Sequence, residues 1–208
     1  MKRKVTSAVR NPLIKKPLQP LSRDFEVTVR PVYHPSLSIL SEKNQQEFHS
    51  TIPLIREEPE KALIVFRDLY ERYPGVPPVK SNLIASLYAA GHDDEAEAMA
   101  LELYSEHPDY IFAKIIYAEY CLLHDRLDEI PAIFNNVWDP KLLYPDREVF
   151  HVSEVTALIG FMGLYFYAIG QMDLARQYYD YLYNLAPTHP QTLRLKNVIF
   201  PDPEPLIP

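Results

Sequence analysis

His151 and Glu154 stand three residues apart, a spacing that places an imidazole and a carboxylate on one face of a helix, where together they can contribute to holding a metal ion. A metal needs further ligands, and no second histidine neighbours them, nor is there a His-Glu-x-x-His run. The other histidines, His34, His49, His92, His107, His124 and His189, fall at expected helix ends or turns. The chain has no Gly-x-Ser-x-Gly elbow, no glycine-rich phosphate loop and no cysteine beside a base. Its single cysteine, Cys121, lies among apolar residues on an expected inner helix face, as a small core residue does. The expectation is a protein without catalytic residues, metal or cofactor.

The remaining chemistry is charge. Of the 208 residues, the first 35 carry eight Lys or Arg against Asp24 and Glu26, a balance of +6, whereas the net charge is −7. The other 173 residues therefore sum to −13. Lys2, Arg3, Lys4, Arg10, Lys15 and Lys16 form a basic arm suited to phosphates or to an acidic protein surface. No aromatic platform interleaves with these lysines, so a nucleic-acid-associated role is the alternative reading rather than the first. No apolar run is long enough to span a bilayer, and Val5 to Pro12 lack the apolar stretch of a signal peptide, so cytoplasmic residence without membrane contact is expected.

The elements that would position these groups are helical. Residues 1–35 hold five prolines and form an expected extended arm, with period-two alternation over Phe25 to Arg30 that reads as a strand without a partner edge. It is expected to dock across helices instead, or on the protein's own groove or flank. From residue 36, helices are expected at 36–48, 58–73, 78–90, 93–106, 110–124 and 127–138. The last of these is bent or starts late at Pro131.

A 34-residue period runs through them. Ala62 to Ala96 and Pro74 to Pro108 are both 34 apart, and Gly170, Ala175, Tyr179 and Pro187 repeat the offsets of Gly91, Ala96, Ala100 and Pro108. Between Ile130 and Ala175 the step is 45. The surplus of 11 residues is close to three helical turns, which predicts a lengthened helix over 147–169. A helix over 190–199 is expected to cap the stack, followed by a proline-rich tail, 201–208.

At these residues the chain resembles the tetratricopeptide repeat family, as a divergent member without its tryptophan. The small places in the first helices fall on Gly163 and Ala118, while Ile84 departs from the pattern. The resemblance, over roughly 43–189, implies an all-α, right-handed solenoid of about four helix pairs, spanning 36–200, that acts as a protein-protein adaptor or scaffold. Its concave groove would be lined by Ser81, Ala85, Tyr88 and Ala89, by Phe112, Ile115, Glu119, Leu122 and Leu123, and by Ala157, Gly160, Leu164, Tyr167 and Ala168. So apolar a lining implies an apolar or aromatic-rich protein or peptide segment as occupant, either a partner's or the chain's own arm. The lysine and asparagine clamp that some family members use for chaperone tails is absent from these places.

Overall fold

Prolines punctuate the chain, and five of the described α-helices begin at them. Pro59, Pro77, Pro131, Pro140 and Pro190 each occupy the first or second position of a helix, where the missing N–H has no intrahelical acceptor to lose. The computed structural model describes residues 25–31 and 33–201. The basic residues from Lys2 to Lys16 and the tail 202–208 lie outside them. Clustering of contacts divides the chain into two compact units, 30–126 and 127–201, and the strand preceding residue 30 belongs with the second.

The 30–126 unit opens with a 3-10 turn, Pro35–Ile39, then α1 (Glu42–Thr51), α2 (Leu54–Glu57), α3 (Pro59–Arg72), α4 (Pro77–Ala89), α5 (Asp93–Glu106) and α6 (Ile111–Leu123). Each helix from α3 onward packs on the next. On α3, Ala62, Leu63, Phe66 and Leu69 recur at one-, three- and four-residue steps and are buried. Phe48 of α1 meets Phe66 edge to face at 5.7 Å. Lys80 is also buried, its Nζ donating to Glu106 and Glu102 at 2.8 and 3.2 Å.

The second unit joins α7 (Ile130–Ile133), α8 (Pro140–Leu143), β2 (Val149–His151), α9 (Val152–Ala168), α10 (Met172–Leu185) and α11 (Pro190–Ile199) to β1 (Glu26–Thr28). Its core is aromatic. Trp138 stacks on Tyr165 at 5.1 Å and meets Phe166 edge-on at 5.2 Å, and Phe166 stacks on Tyr178, whose hydroxyl donates to Trp138 O at 2.9 Å.

Three expectations are corrected here. The fold is mostly helical but not all-α: β1 pairs in parallel with β2, Val27 opposite Phe150, so the strand-like segment does have a partner edge. The surplus lengthens α9 by only about one turn: it starts at Val152 rather than at 147 and has 17 residues against 13 in α4 and in α6. His151 caps it, accepting from Ser153 N–H through Nδ1, and Glu154 accepts from His151 N–H at 2.9 Å, a reciprocal box that ends the helix there. The rest of the surplus falls in α8, a loop and β2. The helix expected over 127–138 is a single turn, because Asn135 and Asn136 take positive φ (52° and 58°) just beyond it.

Three of the long helices close in one way. After α4, Gly91 has φ +80°, its N–H bonding Tyr88 O at 3.2 Å while His92 N–H bonds Leu87 O at 2.9 Å. After α9, Gly170 (φ +76°) and Gln171 make the same two bonds to Tyr167 and Phe166. After α6 the closing residue is Asp125 (φ 59°), 34 positions beyond Gly91, with Arg126 N–H on Cys121 O at 2.8 Å. An L side chain in this conformation costs about 1 kcal/mol relative to glycine. Asp125→Gly is therefore expected to stabilise the chain by roughly 0.5–1 kcal/mol, seen as a raised midpoint in urea denaturation.

Candidate interaction surface

On α6, Phe112, Ile115, Glu119, Leu122 and Leu123 follow one another at helical spacing, and on α4, Ala85, Tyr88 and Ala89 do the same. These helices pack together within the 30–126 unit. The structure does not leave the whole row open. Ser81 is buried, its hydroxyl on Pro78 O at 3.1 Å and 3.3 Å from the Tyr110 hydroxyl. The Tyr110 ring in turn lies 5.7 Å from Phe112 and takes the edge of His34 at 5.1 Å. Leu37 and Leu40 are buried in the same core, and the 3-10 turn packs on α4. The chain's own residues 34–40 thus cover the Ser81 end. Ile115 is 4% exposed and is core.

The other end, toward the C-termini of α4 and α6, is open. Ala85 and Ala89 are exposed, Tyr88, Glu119 and Leu122 half-buried, and Leu123 is 68% exposed. Burial, reinforced by the carboxylates of Glu97, Glu119 and Asp93, pushes the Tyr88 hydroxyl up to about 12. An apolar patch here is therefore edged with negative charge. Glu97 also lies 3.4 Å from His124.

In the second unit the expected lining divides similarly. Gly160 does not face outward: a Cβ built there would stand 3.2 Å from Gln191 Cβ on α11, so this glycine is a helix-packing residue. Leu164 is 7% exposed and Ala157 half-buried. Tyr167, 37% exposed, and Ala168 are open at the C-terminal end of α9.

His151 and Glu154 do share a place, but as a cap. Arg147 grips Glu154 with both guanidinium nitrogens, at 3.0 and 2.7 Å, and lies 4.3 Å over the Phe150 ring. Among the described residues no group of three His, Cys, Asp or Glu is placed to hold a metal ion, and no helix is long and apolar enough to cross a membrane. Cys121 is buried. Sequence reasoning missed Tyr110, Asp93 and Glu97. Tyr110 sits just before α6, outside the repeat offsets, and Asp93 reads as a first-turn dipole partner of α5.

No family model, curated protein or solved structure matches the chain.

Proposed function

We propose that the chain is a tetratricopeptide-like repeat scaffold that captures a segment of a partner protein on the open C-terminal ends of α4 and α6. One observation carries this reading. Tyr88 and Ala89, Leu122 and Leu123, Tyr167 and Ala168 stand three and two residues before the left-handed closing residues Gly91, Asp125 and Gly170. All six are exposed or half-buried. An apolar pair kept open at one offset in three helices is the pattern of a repeated contact point rather than of core.

The chemistry suits an apolar or aromatic side chain from the partner, and the carboxylates around Tyr88 favour a lysine or arginine beside it. The test compares partner capture by the full chain with that by the Leu123→Glu variant and by Ile64→Glu, whose site on α3 is 69% exposed and lies outside these helices. Leu123→Glu is expected to reduce capture at least tenfold with unchanged circular dichroism, and Ile64→Glu to leave it intact. Equal capture by both variants would move the contact elsewhere.

A further inference from the structure

In the second unit, α11 is fastened to α9 by one imidazole whose two nitrogens have opposite duties. His189 precedes Pro190, and its Nδ1 accepts the Gln191 N–H at 3.3 Å, capping α11. Its Nε2 lies 3.4 Å from Thr156 Oγ1 on α9. Thr156 is fully buried and its hydroxyl proton points to Val152 O at 2.8 Å, so toward His189 the threonine oxygen can only accept. Nε2 therefore carries the proton and Nδ1 does not. Both positions are satisfied by the neutral ring alone.

We infer that His189 is an acid-sensitive latch whose protonation at Nδ1 releases α11 from α9. A proton on Nδ1 would face the Gln191 N–H, donor against donor, and would set a positive charge at the positive end of the α11 dipole. The flanking groups offer no compensation. On α9 the ring meets Thr156; the charge on that helix's first turn is Glu154, already paired with Arg147, which precedes β2. On its own helix the neighbour is Gln191, and toward α10 the His189 N–H bonds Ala186 O at 3.1 Å. Burial is what holds the imidazole below the ordinary histidine value.

The sign follows from that direction. Above about pH 6.5 the ring is neutral whether α11 is docked or not, and the latch holds. As pH falls below that value the undocked form takes up the proton first, so docking weakens about tenfold per pH unit until the docked ring itself titrates. What opens is a tight seat. Gly163 of α9 has no room for a Cβ beneath the Leu195 side chain, and Gly160 lies under Gln191. The uncovered stripe of α9 is shaped for a helix.

Hydrogen exchange of the α11 amides in the full chain, corrected for the intrinsic pH dependence, reads the latch. Between pH 6.5 and 5.5 the opening equilibrium is expected to rise up to about fivefold. In His189→Asn and His189→Ser, whose side chains cap without titrating in this range, α11 should stay protected with a flat profile. A wild-type-like rise in both variants, or no rise in the wild type, overturns the inference. Should both variants lose protection at pH 7.5, the ring nitrogen shifts of His189 in the wild type decide. A protonated Nδ1 at neutral pH, or titration at or above 6.5, sinks the latch, and an unprotonated Nδ1 titrating below 6.5 upholds it.

Discussion

Replacing Trp138 with alanine is expected to destabilise the protein by about 3–5 kcal/mol, the range for emptying a buried indole site. The indole is 7% exposed and stacks on Tyr165 while meeting Phe166 edge-on. Removing it strips contacts from three further rings at once, Phe134 included, and Phe166 passes the loss to Tyr178. The Tyr178 hydroxyl bonds the main-chain carbonyl of residue 138, so the substitution removes packing without removing that bond. Because the chain holds a single tryptophan, the comparison is made by urea denaturation followed by circular dichroism rather than fluorescence. A loss below roughly 1 kcal/mol would show that neighbouring side chains close the space, and the aromatic cluster would not be what holds this unit together.

The second large effect belongs to Gly163. Alanine is ordinarily better than glycine inside a helix by about 1 kcal/mol. Here the added methyl would fall on the Leu195 side chain, and overpacking of that kind costs roughly 1–3 kcal/mol. Gly163→Ala is therefore expected to destabilise despite its helix propensity. In a Leu195→Ala background, where the methyl meets empty space, the same substitution should turn stabilising. The coupling expected from such a cycle is about 2–3 kcal/mol. Additivity within about 0.5 kcal/mol would mean that α11 shifts freely on α9 and that no tight seat exists.

Much of the helical arrangement was legible because its signals are local. Proline at helix starts, Gly91 and Gly170 at helix ends and the stripe on α3 each act within a turn, and α3, α4, α5, α6 and α11 lie within a residue or two of their expected bounds. The third closure went unread because Asp125, not glycine, takes the left-handed conformation at the repeat distance. The start of α9 was misjudged for a different reason. Periodicity alone allows a start at 147, but the His151 and Glu154 cap and the pairing with β1 decide otherwise, and that pairing joins residues more than 120 apart in sequence.

The candidate surface was only half legible. Helical spacing assigns residues to a face, and Ala85, Leu123 and Tyr167 are exposed. Spacing says nothing of what covers a face. The burial of Ser81 depends on Tyr110 and His34, and that of Gly160 on α11, neighbours that the repeat offsets do not name. His151 and Glu154 show the converse, since a pair with metal-like spacing is fully engaged by main-chain N–H groups and Arg147.

Strand β1 precedes the 30–126 unit yet belongs with residues 127–201. Parallel strands always need a crossover, and here the crossover holds the entire 30–126 unit with its six α-helices, followed by α7 and α8. During synthesis the first strand leaves the ribosome long before its mate at 149–151 exists, so it must wait while the intervening unit folds by contacts between sequential neighbours. Joining the two strands closes the longest loop in the described chain, which makes it the natural last event of folding. A chain interrupted before residue 149 would then present an orphan strand end, Phe25 and Val27 included, to whatever chaperone or neighbouring chain it meets first.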